Sequence, residues 1–389
     1  MANYVLSKNN RYYVALESSY GVVPTVSATN RVPGVRLAVA TQKVTVPRRD
    51  KTGTRTFLGT PGTPRKIASY EFETSLMAGA GALPPAVGQM VQAALGTAAP
   101  LSVQQPATVN GNGAELDFAA PHNLAVGSAV TVGDEMRIVA SVLSATSVRL
   151  SAPLTNTVSG SAQAMPAAAY VPGKVLPSVS LFDFWDPSST VQRIVRGAGV
   201  DEMDVLVDGT EHKLVFRGPA AEQMGSTAFQ PSQSGLTAFP TEPAVQAETW
   251  APVPGNLGQV WLGSTPSQVL TLTKALVRVK NNLMTRSFEF GSTQPLALSP
   301  GDRDVEVQFE VYSTDESVFA ELYRAAQTET PIPLTIQLGD QAGAMAAVYI
   351  KTFVPQMPQF NDAETRLLWS FSSSRAQGAG DDEIYFAFG

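Results

Sequence analysis

The segment VEVQFEVYSTDESVFAELYRAAQTETPIPLTIQ (residues 305–337) decides how the rest of the chain is interpreted. Its first part, 305–311, alternates strictly between apolar and polar side chains, which predicts a strand with one face in a core. The next part, 314–327, predicts a helix with Thr314 or Asp315 as N-cap and an apolar stripe on one side. That stripe consists of Val318, Leu322, Ala325 and Ala326. The segment therefore predicts a strand, a helix and a further strand in succession.

A similar order of elements occurs earlier in the chain. SYEFETS (69–75) alternates in the same way, and PPAVGQMVQAALG (84–96) predicts a helix that begins with prolines and ends at Gly96. Further matches pair SVSLFD (178–183) with LTIQLGD (334–340), and EHKLVFRG (211–218) with TRLLWSFSS (365–373), where Leu367, Trp369 and Phe371 should share one face. The matches lie 232–233 residues apart around the helices and about 155–157 apart afterwards. We interpret the chain as an internal duplication whose first copy carries an insertion of roughly 77 residues.

The insertion and the segment between the two copies differ in composition from the rest. Residues 115–151 read as four or five short strands with Gly and Ser turns, a small all-β module expected to project from its host's surface. Residues 218–248 are rich in Pro and Gln and low in charge, which is typical of an extended linker. The predicted division is an N-terminal strand and arm (1–32), a first β unit (33–104 with 177–218), the inserted module (105–176), a linker (219–265) and a second β unit (266–389).

The predicted fold class is mainly β, with two tandem β-sandwich or half-barrel units, one α-helix in each, and the inserted module. The chain has 389 residues, 15% charged residues, a net charge of −6 and no cysteine. The absence of cysteine excludes disulfides and Cys-based zinc sites. The negative net charge means that the protein as a whole does not attract nucleic acid. No signal peptide and no membrane-spanning run of about 18 apolar residues is visible. The expectation is a soluble protein made inside the cell.

No catalytic constellation is recognisable in the sequence. The histidines, His122 and His212, lack suitably spaced partners, and no nucleophile elbow, phosphate-binding loop or zinc-protease motif occurs. Asp302, Asp304 and Glu306 are spaced like the start of a calcium loop, but the glycine and glutamate that such a loop requires are missing. We therefore expect no enzyme activity, no metal site and no cofactor.

One basic segment stands out at residues 47–66. Its cations are Arg48, Arg49, Lys51, Arg55, Arg65 and Lys66. The single acid, Asp50, leaves the segment strongly positive, and only Phe57 offers an aromatic ring, which is too few for a nucleic-acid stacking site. A solvated loop and a protein-contact loop remain equally good interpretations.

Together, the N-terminal ESSYG motif, the duplicated β unit with one helix, the long loops and the small β insertion resemble the major tail tube proteins of long-tailed bacteriophages. The motif residues are Glu17, Tyr20 and Gly21, with Pro24 closing the turn. The resemblance implies tube-type domains that form rings, close a wide β-barrel lumen and stack into a tube through which DNA passes. With two domains per chain it implies homotrimeric, pseudo-hexameric rings, and without the duplication it implies hexamers.

The resemblance also implies roles for particular residues. Acidic strand faces would line the lumen and keep DNA from sticking. These lumen-lining residues are Glu71, Glu73, Glu306 and Glu310. Glu17 and Tyr20, together with the basic segment and residues 280–303, would contact neighbouring subunits or rings. The implied partners are further copies of the chain, a tape-measure protein and the passing DNA, in a virion tail assembled in the bacterial cytoplasm and without contact to membrane.

Three other functions remain open from the sequence. A tail terminator, neck or baseplate-hub protein would share the fold without polymerising. An adhesin would bind glycans through the insertion. A hydrolase would require a nucleophile and base that the sequence does not offer.

Overall fold

The computed structural model of the chain describes residues 4–60, 64–78, 84–101, 104–155, 162–247, 250–363 and 365–389. Parts of several predicted segments lie outside the described residues. They are 1–3 of the arm, 61–63 of the basic segment, 79–83 and 102–103 of the first unit, 156–161 of the inserted module, 248–249 of the linker and 364 of the second unit.

The described chain is mainly β, with two α-helices. The elements up to the insertion are β1 (Asn10–Leu16), β2 (Arg31–Val32), β3 (Gly34–Val44), β4 (Arg65–Ser75), β5 (Met77–Ala78), α1 (Gly88–Leu95) and β6 (Gly96–Ala98). Those of the insertion are β7 (Gln105–Asn110), β8 (Glu115–Phe118), β9 (Ala129–Val132), β10 (Glu135–Ser144), β11 (Ser147–Leu150) and β12 (Ala162–Pro172). Then follow β13 (Val179–Trp185), β14 (Arg193–Ala198), β15 (Glu202–Val207), β16 (His212–Ala220) and β17 (Glu222–Gly225).

The C-terminal part contributes twelve more strands and the second helix. They are β18 (Ala251–Pro252), β19 (Gly258–Leu262), β20 (Ser267–Gln268), β21 (Leu272–Lys280), β22 (Met284–Thr285), β23 (Leu298–Ser299), β24 (Asp304–Tyr312), α2 (Ser317–Thr328), β25 (Ile332–Leu338), β26 (Ala346–Val354), β27 (Gln359–Asn361), β28 (Leu368–Ala376) and β29 (Tyr385–Phe388).

The dominant feature is a run of eight antiparallel strands, which we call the long sheet. Its order is β3-β4-β16-β15-β21-β24-β28-β27. The central pairing joins β15 to β21, with Val205 opposite Val277, so that strands from both halves of the chain form one surface. Because consecutive strands alternate in direction, the first and last strands of this even-numbered run are antiparallel to each other.

The strand alternation predicted from the sequence is confirmed in β4 and β24. Tyr70 and Phe72 are buried, whereas Glu71 and Glu73 between them remain half-buried on the opposite face. The same pattern holds in β24, with Val305, Val307, Phe309 and Val311 buried. In β28 the prediction is partly wrong. Phe371 is buried and Trp369 half-buried, but Leu367 lies before the strand and is 40% exposed.

Two groups of strands cover the core face of the long sheet. One is the sheet β17-β14-β13-β1-β2, and the other comprises β20-β19-β25-β26-β29-β12-β6. A single apolar cluster joins the long sheet to both helices, to β1, β13 and β14 of the first group, and to β25, β26 and β29 of the second. Burial of this continuous apolar surface is the main driving force for the fold.

Both predicted helices are present with shifted boundaries. Helix α1 ends at Leu95, and its C-cap is Gly96, whose φ of 123° lies in the region that favours glycine. Helix α2 begins at Ser317, and its N-cap is Glu316, which makes no capping side-chain bond. The prediction of Thr314 or Asp315 as N-cap is therefore wrong, although the predicted apolar stripe is buried together with Phe319.

The insertion forms a closed six-stranded barrel. The strands pair in the cycle β7-β8-β11-β10-β9-β12 and back to β7. The barrel has its own apolar core, in which Leu116, Val139 and Val148 are fully buried. The four or five strands predicted for residues 115–151 are confirmed as the four strands β8 to β11, and β7 and β12 from either side of that range close the barrel so that no edge is left unpaired.

The barrel does not simply project from its host. The second half of β12 leaves the barrel and pairs with β29 and β6. A separate apolar cluster packs Met136 and Ile138 of the barrel against Met345, Tyr349 and Tyr385 of the second half of the chain. This shared core corrects the expectation that the inserted module would project from its host's surface, because removing residues 105–176 would expose that cluster.

The predicted linker, 219–265, also differs from expectation. It begins with β17, an edge strand of the first covering sheet, and ends with β19, which pairs with β25. Between them, Glu242 accepts hydrogen bonds from Arg11 (2.6 Å) and Tyr13 (2.9 Å). The segment is therefore held against β1 and does not hang free.

Candidate functional site

The strongest candidate site is the outward face of the long sheet, opposite the core. The four glutamates predicted to line a lumen, Glu71, Glu73, Glu306 and Glu310, all lie on this face as half-buried side chains between buried neighbours. Glu71 and Glu73 lie on β4, and Glu306 and Glu310 lie on β24. The two strands belong to the same sheet, because they are connected through β16, β15 and β21. The structure thus places these four side chains on one continuous surface.

This face is nevertheless not uniformly acidic. Arg217 contacts Glu71 (2.8 Å), Glu202 (2.6 Å) and Asp204 (2.8 Å), and Arg278 contacts Asp204 at 2.7 Å. Burial lowers the pKa of Arg217, but the hydrogen bonds that its guanidinium donates to Glu71 and Asp204, together with the nearby negative charges, outweigh this effect and raise the pKa overall. Positive and negative side chains therefore alternate across the pairing of β15 with β21, where the two halves of the long sheet meet.

Further basic side chains neutralise carboxylates towards the sides of the sheet. Lys213 donates to Glu73 at 3.2 Å, and Arg375 lies 3.6 Å from Asp304. Opposite charges that lie this close together largely cancel each other's electrostatic field. The sequence pattern of β4 and β24 shows only the carboxylates of those two strands. The basic side chains come from neighbouring strands, and only the strand register places them beside the carboxylates.

The long sheet has two open edges. Within the described residues, β3 pairs along its length only with β4, and β27 only with β28. Most of β3 and all of β27 are solvent-exposed in the isolated chain. An exposed strand edge is a template for pairing with another strand.

The basic segment lies at one end of the long sheet, which we call the loop end. Here the described residues of the β3–β4 loop, 45–60 and 64, lie at the same end as the loop 281–303 that joins β21 to β24. Arg65 donates to the carbonyls of Ser287 and Glu289, and the Lys66 amide donates to Thr293 at 2.8 Å. The Arg65 guanidinium is therefore occupied within the chain, and the Lys66 backbone is fixed to the neighbouring loop.

The other four cations point outwards. Arg48 pairs with Asp50, whereas Arg49, Lys51 and Arg55 are exposed and form no ion pair in the described part of the chain. Aromatic side chains accompany them, with Phe57 69% and Phe288 72% exposed and Phe290 fully exposed. The sequence analysis missed Phe288 and Phe290. The signal was available, because SFEFGS places two aromatic residues inside a loop between two strands.

Glu17 does not face a neighbouring molecule. It is 8% exposed, and its carboxylate accepts four hydrogen bonds within the chain. The donors are Gly21 N (2.6 Å), Ser178 Oγ (2.6 Å), Ser180 Oγ (2.7 Å) and Gly197 N (2.7 Å). The carboxylate thus fastens the turn after β1 to β13 and β14, which corrects the expectation of an intermolecular role.

Tyr20 belongs to the same turn. A side chain at Gly197 would meet the Tyr20 ring at 3.1 Å, so the ring packs directly on β14. Burial raises the pKa of its phenol, and its buried hydroxyl has no hydrogen-bond partner in the described structure. Arg196 closes the turn by donating to the Gly21 carbonyl at 2.8 Å. Tyr20 packs against its own chain but stays partly exposed, so its contact with a neighbouring subunit stays a prediction.

We expect Glu17→Ala to lower the free energy of unfolding by about 3 kcal/mol, because it leaves buried donors without an acceptor. Chemical denaturation of the monomer measures this loss. The neighbouring exposed residue provides the control, since Ser18→Ala should stay within about 0.5 kcal/mol of wild type. Equal effects of the two substitutions would show that the Glu17 network does not stabilise the fold.

Both histidines are buried and packed within the fold. His122 Nε2 lies 3.0 Å from the Ser144 carbonyl, and the Leu124 amide donates to His122 Nδ1 at 2.9 Å. His212 is 2% exposed, and burial lowers its pKa. Among the described residues, no group of three or more His, Asp or Glu side chains is arranged to hold a metal ion.

No protein-family model matches the chain, and no curated protein is significantly similar to it. In the described chain, neither α-helix has the length and apolar character that crossing a bilayer requires.

Proposed function

We propose that this protein is a structural subunit that assembles into rings, and that the rings stack into a tube of the kind found in long-tailed bacteriophages. The long sheet with its two open edges is the observation that carries this proposal. Since β27 and β3 run in opposite directions, β27 of one copy can pair antiparallel with β3 of the next. Repetition around an axis then closes the ring and covers both edges where the two strands overlap.

The order in which the strands pair supports both this arrangement and the proposed internal duplication. The strands β3, β4, β16 and β15 pair in the same order as β21, β24, β28 and β27. In both sets a helix follows the second strand, and a β-hairpin that pairs with an earlier strand follows the helix. The junction between β15 and β21 would then be repeated between subunits by β27 and β3, which gives each chain two equivalent positions in the ring.

The strand number suggests the ring size. Neighbouring strands lie about 4.8 Å apart and tilt by roughly 40° in a closed sheet, so three long sheets would close at a backbone diameter of about 45–50 Å. Two copies would close at about 30 Å, and side chains would then fill most of the lumen. Three copies leave a wide channel, and we propose a trimer with six quasi-equivalent units.

The outward face would line this channel. Because its carboxylates and cations are interleaved, it offers passing DNA neither a continuous basic track nor a strongly repulsive wall. Affinity for DNA depends on the number of phosphates that cations neutralise, and cations already paired with carboxylates contribute little. A face of this kind suits a polymer that must slide without being held.

Mass measurement and negative-stain microscopy of the purified full-length chain test the proposal. We expect a trimer in mass measurements and rings or tubes roughly 10 nm across in images, as stacked rings of multi-domain subunits require. Rings that never stack would favour a terminator or neck protein of the same fold. A chain that stays monomeric at every concentration and ionic strength tested would refute the proposed assembly.

A further inference from the structure

The two ends of the long sheet carry opposite charge. The loop end presents Arg49, Lys51 and Arg55 as exposed cations without carboxylate partners in the described structure. The opposite end, which we call the turn end, consists of the β15–β16 turn, the segment between β24 and α2, and the turn after β27. Its exposed carboxylates are Asp208, Glu211, Asp315, Glu316 and Asp362, and they outnumber the exposed Arg366 of the turn after β27.

The carboxylate of Asp208 is firmly ionised. It accepts hydrogen bonds from the amides of Glu211 (2.9 Å) and Thr210 (2.9 Å) and from the Thr210 hydroxyl (2.8 Å). These bonds lower its pKa to about 2. The turn end therefore keeps negative charge at any pH at which the protein would assemble.

Both ends also expose apolar rings. At the loop end these are Phe57, Phe288 and Phe290. At the turn end, Phe360 is 56% exposed, stacks on Tyr323 at 6.3 Å and lies 5.4 Å from Trp369. Exposed aromatic side chains rimmed by charge are typical of protein interfaces.

The two charged ends cannot neutralise each other within one chain. The eleven residues of β3 and of β4 separate them by about 35 Å, given roughly 3.3 Å per residue. That distance is several times the Debye length of about 8 Å at physiological ionic strength. Complementary charges so far apart can come together only between two copies stacked along the strand direction.

We infer that the turn end is the acceptor for the basic loops of the next copy, so that stacking is head-to-tail and driven by opposite charges around an aromatic contact. This inference rests on the proposed tube function and names the two surfaces that join its rings. Such a contact is heterologous and open-ended, and it gives the tube a fixed polarity.

Two charge-reversed variants of the full chain test this. In the loop variant, Arg49, Lys51 and Arg55 are changed to Glu. In the turn variant, Glu211, Asp315 and Asp362 are changed to Lys. All six residues are exposed, so the folded ring should persist. Each variant alone presents like charges at the stacking surface, and we expect its stacking constant to fall by about tenfold or more.

An equimolar mixture of the two variants decides the question. The acidic loops of one variant meet the basic turn end of the other, so we expect alternating tubes to form again. Images and light scattering measure tube length in each sample and in the mixture. Wild-type tube length for either variant alone, or no recovery in the mixture while rings persist, would overturn the inference and leave the proposed ring intact. Wild-type protein without rings would overturn both.

Discussion

A single proline in β3 is expected to abolish rings while leaving the monomer folded, provided that it replaces a residue whose N–H points to the open edge. In an antiparallel pair, successive N–H groups point alternately towards the two neighbouring strands. Of the neighbours Ala38 and Val39, one therefore donates towards β4 and the other towards solvent. Proline at the solvent-facing position removes a donor and places its ring in the path of an incoming strand.

The expected effect is large because it recurs at every interface of the ring. Losing one interstrand hydrogen bond and blocking close approach costs about 1–3 kcal/mol at each contact, hence about 3–9 kcal/mol for a trimer. Mass measurement should then show monomers at concentrations where the wild type forms rings. The other proline should instead lower the free energy of unfolding by about 1–3 kcal/mol, because it breaks a bond to β4.

The two variants control each other, and Val39→Ala separates the loss of side-chain packing from the loss of the N–H. Chemical denaturation identifies which proline leaves the monomer unperturbed. If that variant still forms rings with wild-type affinity, β3 is not a subunit edge and the proposed ring geometry is wrong.

The strand and helix pattern of the long sheet was predictable because side-chain burial there follows a simple period. Tyr70 and Phe72 alternate with Glu71 and Glu73, and the helix after β24 carries its apolar stripe on one side. Local periodicity of this kind is encoded residue by residue. The offsets between matching segments predicted an insertion in the first half of the chain, and the six-stranded barrel lies there.

What the sequence could not give was the set of partners that only tertiary structure selects. The burial of Glu17 depends on Ser178, Ser180 and Gly197, which lie more than 160 residues away. The bases beside the predicted lumen glutamates come from β16 and β21, whose register relative to β4 and β24 no local pattern fixes. The contact between the small barrel and the rest of the chain could not be predicted for the same reason, since it uses side chains from two distant parts of the sequence.

That docking centres on one buried ion pair, and Arg137→Ala is expected to lower the free energy of unfolding by about 3–5 kcal/mol. Arg137 and Glu135 have no solvent exposure, and the guanidinium donates to Glu135 at 2.8 Å. The guanidinium also reaches the second half of the chain, with bonds to Gln259 (2.6 Å) and Gln337 (2.5 Å), and lies 5.7 Å from the centre of the Trp261 ring.

The size of the loss follows from what the substitution leaves behind. Burial lowers the pKa of Arg137 to about 10, although the Glu135 charge opposes that shift. Without the guanidinium, Glu135 would remain as a buried carboxylate that accepts hydrogen bonds from the amide (2.8 Å) and hydroxyl (2.8 Å) of Thr155 but has lost its cation. An uncompensated buried charge is far more costly than a lost surface contact.

Two comparisons make this prediction specific. Arg149 pairs with Glu115 at 2.8 Å on the same barrel, but its side chain is 56% exposed, so Arg149→Ala should cost no more than about 1 kcal/mol. The double variant Glu135→Gln/Arg137→Met removes both charges while keeping much of the volume, and it should recover a large part of the loss. Denaturation of all three variants measures these differences. If Arg137→Ala costs no more than Arg149→Ala, the barrel is not anchored by this pair, and the apolar contacts of Met136 and Ile138 must hold it alone.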